Sequence, residues 1–277
     1  MPGSNARALE KGKSVSADGL ILDLEDAVAP DAKVIARKQV VEAVRGGGYG
    51  KRELLIRVNA MNTPWGYEDL VTAAHAGAHA VLLPKVDSAE TVRQADAVLS
   101  AAGAPASLRI WCMMETARGM LHAEQIAQSS ARLGGLVMGT SDLAKELHCG
   151  HTPMRLPMIT ALGLCMLAAR ACGLPILDGV YLDLADDDGF RASCKQGVEL
   201  GFDGKTLIHP KTVDVANEVF APTEAEVMQA RRIIEAFEVA SSEGKGVVVV
   251  DGKLIENLHV ENAKRLVAMA DAIAHMA

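Results

Sequence analysis

The chain has 277 residues, 49% of them hydrophobic, with 35 acidic against 28 basic side chains and a formal net charge of −7. That length suits one large domain or two small ones. The basic residues form only short pairs such as Lys51-Arg52 and Arg231-Arg232, which argues against nucleic acid as a partner, although a locally positive site could still hold an acidic small molecule.

In chain order, Pro2-Gly3 reads as a strand-to-helix turn and 5–11 as the helix after it. Apolar runs then alternate with helical patterns. The predicted strands are 19–24, 53–58, 80–83, 108–114, 135–138, 177–180 and 204–208. The predicted helices are 32–44, 67–75, 89–101, 117–129, 158–172, 190–200 and 223–240, with Ser88 and Thr223 as N-caps. The strand runs are apolar at consecutive positions, which suits parallel strands covered on both faces. The apolar stretch 158–171 is broken by Thr160, Gly163 and Arg170, so it reads as a core helix and no membrane partner is expected. Five cysteines without C-x-x-C spacing read as free thiols of a reducing, cytoplasmic compartment.

Strands recurring about once per ~30-residue βα unit point to an α/β TIM (β/α)8 barrel, with an open doubly wound sheet as the runner-up. No strand precedes the opening turn, so the first stave is absent from this numbering. Either a gapped barrel or a substitute element is expected there, because an uncovered sheet edge is unfavourable. The barrel domain is expected to span 1–240. Residues 241–277 read as a polar linker, a hairpin turning at Asp251-Gly252 and an amphipathic helix, an extension packing on a rim or a neighbouring subunit.

Barrel chemistry sits at the carboxyl ends of strands. Those ends supply Glu25 and Asp26, then Arg57 and Asn59, Lys85, Glu115, Asp142, Asp183 with Asp178, and Lys205 with His209. Glu115 and Asp142 come from adjacent strands and can converge. Converging carboxylates call for a cation, and oxygen-only ligands favour Mg2+ or Mn2+. On this reading the other acids surround the ion as ligands or as outer partners, and Arg57 grips a substrate carboxylate or carbonyl. Plainer readings stand beside these. Asp142 can be a helix-start charge, and Glu115 can pair with Arg57 or Arg118. Asp31 and Lys33 read as a solvated helix start. His148 and His151 read as non-ligands, His209 as a turn residue, and Met113, Met114, Met158 and Met166 as core filler.

The segments PGSNARALEK, LILDLEDAVAPDAK, IRVNAMNTPWGYEDL, LLPKVDS, METARG, MGTSDLAKEL, DGVYLDLADDDGF and GFDGKTLIHP together resemble the citrate lyase β-subunit/HpcH–HpaI aldolase superfamily, in its CoA-ester lyase branch. The resemblance implies a barrel with Mg2+ held by Glu115 and Asp142, and Arg57 on the carbonyl of a 2-oxo acid. It implies Glu25 and Asp26 around metal-bound water, and Ser4, Asn5, Arg7 and Lys11 near the CoA phosphates. It also implies a homotrimer or hexamer in which a tail carboxylate reaches a neighbour's site. Lyases carry Asp at that tail position, and this chain has Glu256.

The first expectation is retro-Claisen cleavage of a 3-hydroxy-3-carboxyacyl-CoA such as malyl-CoA, β-methylmalyl-CoA or citramalyl-CoA. Arg57 would stabilise the developing carbonyl, Glu256 would protonate the enolate, Asp26 would assist, and the amides of Ala117 and Arg118 would hold the substrate carboxylate. The alternatives are malyl-CoA thioester hydrolysis, an aldolase acting without CoA, and a citrate lyase β-type subunit needing an acyl-carrier partner.

Overall fold

Seven of the apolar runs form one parallel sheet. In the computed structural model, which describes residues 1–276, the strands are β1 (Gly19–Asp23), β2 (Glu53–Arg57), β3 (Ala80–Leu83), β4 (Arg109–Met114), β5 (Leu133–Met138), β6 (Ile176–Asp178) and β7 (Gly204–Lys205). They lie in sequence order, each parallel to the next. A doubly wound sheet would reverse its strand order partway. This order does not reverse, and it is the order of a barrel wall.

Alternation along each strand sets the two faces. Leu55, Ala80, Leu82, Trp111 and Val137 form a buried cluster, with Ile21, Met113 and Leu177 packed against it. These residues come from six neighbouring strands and mark one common face. The intervening residues, such as Leu22, Ile56, Val81, Cys112 and Leu136, are also buried, under the helices. Burial on both faces explains why the runs are apolar throughout.

The edge of β1 is covered by the first three residues. The nitrogen of Met1 donates to Ile21 O at 2.7 Å. Asp23 N–H donates to Met1 O at 2.8 Å, and Gly3 N–H to Asp23 O at 2.7 Å. Pro2 thus bridges Asp23 in the parallel sense. This short pairing is the substitute element where the sequence offers no strand.

Most helices form where the spacing predicts them. The predicted 117–129 helix instead breaks into Ala117–Leu121 and Ala123–Ala127. The break falls at His122, whose Nδ1 lies 2.9 Å from Asp87 O. The long-range contact fixes a bend that local periodicity does not reveal. Cys112, Cys165 and Cys194 are buried, Cys149 and Cys172 half-buried, and all five are free thiols.

The chain divides into two compact units, Met1–Ala216 and Asn217–Ala277. In the second unit, helices Glu224–Ser242 and Asn257–Met276 pack together, and Arg231 pairs with Asp271 at 3.0 Å. Between them lie β8 (Val248–Val250) and β9 (Lys253–Ile255), antiparallel. Asp251 and Gly252 turn the hairpin with φ of 49° and 77°, as a type I′ turn requires. Helix Glu224–Ser242 therefore belongs with the C-terminal elements, whereas the sequence reading counts it with the barrel and sets its boundary at 240. Its partner is the last helix, and that contact is invisible to local pattern.

Candidate active site

β1 ends on Asp23 and β2 ends on Arg57, and the two residues are directly paired in the register. Their side chains meet in a fork: Nε donates to Asp23 Oδ1 at 2.7 Å and Nη2 to Oδ2 at 2.6 Å. Nη1 lies 3.2 Å from Glu25 Oε2. Burial pushes the Asp23 carboxyl up, but the hydrogen bond and charge of Arg57 outweigh it and hold it below the usual carboxylate range. Burial alone would lower the Arg57 pKa, yet Asp23 and Glu25 raise it above its ordinary value.

Lys85 closes the arc. Its Nζ bonds Glu25 Oε1 and lies 3.2 Å from Asp26 Oδ2. Lys85 has φ of 50°, the left-handed region that a lysine seldom occupies. That turn sends the ammonium toward Glu25 while the main-chain N–H donates to Glu115 Oε1 at 2.7 Å. The three acids that open the site are therefore met by Arg57 and Lys85. The protein itself thus supplies two cations for Asp23, Glu25 and Asp26.

Glu115 and Asp142 are a different case. Glu115 follows β4 and is 2% exposed. Asp142 lies in the first turn of helix Thr140–Glu146, which follows β5. Both line one cavity of about 350 Å³ together with Lys85, Thr116, Lys145, Glu146 and His148. Burial pushes the Glu115 pKa up to about 7; the Lys85 amide pulls the other way, and the Asp142 charge adds to the rise. Gly139 makes the approach possible, because a β-carbon there would collide with Glu115 Oε2. Its N–H is anchored on Met114 O at 2.9 Å.

This pair suits a hard divalent ion. It offers oxygen donors only, it stands in a cavity, and the two charges repel each other. Among the described residues no group of three or more His, Cys, Asp or Glu stands in metal-binding arrangement. An ion held by these two carboxylates would therefore take its other ligands from water and substrate.

The other expected residues are spread more widely. Asp26 is exposed and paired with Lys85. Ala117 and Arg118 open the five-residue helix after β4, where Thr116 Oγ1 caps the Gly119 amide at 3.0 Å. Asn5 caps helix Ala6–Gly12 by accepting from Ala8 N–H at 3.1 Å. Ser4 is half-buried, and Arg7 and Lys11 are exposed. Glu256 is exposed in the second unit, and its N–H donates to His259 Nδ1 at 3.0 Å.

Asp178 and Lys205, read as strand-end candidates, are locked in a buried cluster. Asp178 Oδ2 takes Lys205 Nζ at 2.8 Å, and Oδ1 takes Arg155 Nη1 at 2.6 Å. Asp178 alternates with Leu177 and so faces away from the common interior. Lys33 also departs from expectation: it is 6% exposed rather than solvated. Sequence reasoning did not single out Asp23 as the clamp on Arg57. The signal available was an acid inside one apolar run and an arginine at the end of the next.

The pattern of the HpcH/HpaI aldolase/citrate lyase family matches residues 1–210. The chain belongs to that family. The (3S)-malyl-CoA thioesterase of Cereibacter sphaeroides is 52% identical over 274 residues, covering 99% of this chain and 94% of the relative. The L-malyl-CoA/beta-methylmalyl-CoA lyase of the same species is 35% identical over 297 residues, covering 99% and 93%. Among solved structures, CitE from Mycobacterium tuberculosis in complex with magnesium, acetoacetate and coenzyme A superposes with a TM-score of 0.77 at 27% identity, covering 98% of this chain and 96% of that one. The family expected from the strand-end motifs is the one found, and membership makes the chain an enzyme of a group that includes carbon–carbon lyases. Among the described residues no helix is long and apolar enough to cross a membrane.

Proposed function

We propose that this protein is a divalent-metal-dependent enzyme acting on a 3-hydroxy-3-carboxyacyl-CoA of the malyl-CoA type, with thioester hydrolysis as its main reaction. The observation that carries the choice of hydrolysis is the 52% identity, over nearly the whole chain, to a malyl-CoA thioesterase. It reverses the order expected from the motifs, which put cleavage of the carbon–carbon bond first.

Glu115 and Asp142 would hold the Mg2+, with Mn2+ as a substitute. Bound there, the ion supplies Lewis-acid polarisation of the substrate oxygens. The remaining roles belong to the chain. Arg57 spends two of its five N–H groups on Asp23 and faces Glu25 as an ion pair, which leaves three N–H groups on an oriented guanidinium for a substrate oxygen. Lys85, tied to Glu25 and Asp26, places one ammonium in the cavity wall beside the substrate carboxylate. The amides of Ala117 and Arg118 are the proposed seat of that carboxylate, and Ser4, Asn5, Arg7 and Lys11 that of the CoA phosphates. Water adds to the thioester carbonyl, the carbon–sulfur bond breaks, and the thiolate leaves as CoA after taking a proton. Asp26, open to solvent, is the proposed proton carrier. Glu256 is retained as an acid–base group donated by a neighbouring copy in a trimer or hexamer.

The second reading, retro-Claisen cleavage, is favoured by the 35% identity to a malyl-CoA lyase. It uses the same groups, with Arg57 on the hydroxyl that becomes a carbonyl. Incubating the purified chain with malyl-CoA and Mg2+ separates them. Malate with free CoA supports hydrolysis. Glyoxylate with acetyl-CoA supports cleavage, and neither product overturns both.

A further inference from the structure

Lys33 begins helix Lys33–Gly46, and its side chain is turned inward. Nζ donates to Leu24 O at 2.9 Å and to Glu25 O at 2.7 Å. It also lies 5.5 Å from the centre of the Trp65 ring, within cation–π range. Both hydrogen bonds go to main-chain carbonyls and not to a carboxylate. A buried ammonium is costly to desolvate, and burial pulls the Lys33 pKa below its ordinary value, opposed by Glu25, Asp23, Asp26 and Asp69 in that order.

A second side chain holds the same peptide. Asn59 Nδ2 donates to Leu24 O at 2.8 Å. Asn59 is fixed in turn by Asp69 Oδ2, which accepts its N–H at 3.0 Å and its Nδ2 at 2.6 Å. Asp69 Oδ1 accepts from Arg37 Nε at 2.6 Å. Leu24 O is thus held by Lys33 and Asn59, and Glu25 O by Lys33 and by the Val28 N–H at 2.9 Å. Pinning them sets the direction of the Glu25 side chain, which must bond Arg57 with one oxygen and Lys85 with the other.

We infer that Lys33 is a positioning residue for the active site: its ammonium clamps the Leu24 and Glu25 carbonyls so that Glu25 holds Arg57 and Lys85 in working register. The inference rests on the proposed role of Arg57. The test uses Lys33→Met in the full chain. The expected result is a fall in kcat on malyl-CoA of roughly tenfold or more, since small misplacements of catalytic groups are expensive. KM and the affinity for Mn2+, measured by titration, stay within about threefold, because Glu25 grips only the ammonium end of Lys85, while the contact to Glu115 is made by the Lys85 main-chain N–H.

Hydrogen exchange of the amides at residues 25–27 gives a readout that needs no substrate. These amides bond the carboxylates of Asp23 and Glu25, and they should exchange about tenfold faster in the variant. Lys33→Gln, which keeps a neutral donor, is read the same way if the methionine variant does not fold. Unchanged exchange at 25–27 with kcat within twofold overturns the inference. So does a loss of kcat that comes with faster exchange throughout and weaker Mn2+ binding, which would mark Lys33 as a general stability residue. If the wild-type chain leaves malyl-CoA intact, the functional proposal fails, and local exchange at 25–27 still decides the clamp.

Discussion

Asp23, Glu25 and Asp26 crowd together within reach of Arg57 and Lys85, whereas Glu115 accepts a hydrogen bond from a backbone amide and shares its cavity with Asp142, whose charge acts on it. The two acidic regions lie on neighbouring parts of one strand-end surface. One is complete as it stands, a neutralised frame that can hold its shape without a ligand. The other joins buried Glu115 to half-buried Asp142; Lys85 and Arg57 act on Glu115 without forming an ion pair to it, and two carboxylates so placed favour a cation between them. The difference teaches that counting acids does not locate a metal. What matters is which acids the protein has not already tied into an ion pair.

The sharpest way to break this comparison is Glu115→Gln. It removes one charge of the Glu115–Asp142 pair, and Mg2+-dependent turnover should vanish. Mn2+ affinity, read by titration calorimetry, should drop by more than the ~10–100-fold typical of an outer-shell change. Turnover surviving in the presence of Mg2+ would put the ion elsewhere. Arg57→Lys attacks the frame. The charge stays but the fork to Asp23 is lost, so kcat should fall by about 100-fold while Mn2+ affinity changes little. If the two variants gave the same pattern, the regions would not be separate.

A smaller effect comes from pH. Glu115 is raised to about 7 in the folded chain, so without divalent ion its contribution favours the fold at low pH. It should be lost as pH rises from the ordinary glutamate range through about 7. Asp23 is held low, so its contribution is present above the ordinary aspartate range and lost on acidification. Thermal melts of the metal-free chain should therefore fall in Tm toward pH 7, with Mg2+ restoring the loss and Glu115→Gln abolishing the slope. Gly139→Ala should give the mildest effect. The new methyl group pushes against Glu115 Oε2, and we expect about tenfold weaker Mn2+ binding with the frame intact, as judged by unchanged exchange at residues 25–27.

The order of the strands and most of their helices were legible because burial on both faces leaves uninterrupted apolar runs. Glu115 was legible for a related reason: a charge directly after Met113-Met114 contradicts its surroundings. The bend at His122 was not, since it depends on Asp87, 35 positions away. Lys33 was misread because a lysine after Pro30-Asp31-Ala32 looks like any solvated helix start. Only the folded arrangement brings the Leu24 and Glu25 carbonyls and Trp65 around it. Asp178 stands at a strand end as the candidate ligands do, but it alternates onto the other face, and a shift of one residue decides between a site and a structural ion cluster. Lys85 was noted by position, while its double use follows from a left-handed backbone that no spacing rule announces.

The seventh strand, Gly204–Lys205, offers only two residues of ladder. A foreign chain seeking to extend a sheet needs a longer row of open amides and carbonyls than that. At the other margin, Met1 to Gly3 already occupy the main-chain groups beside Ile21 and Asp23. Stunting one border and occupying the other leaves few open main-chain groups on which another strand could pair.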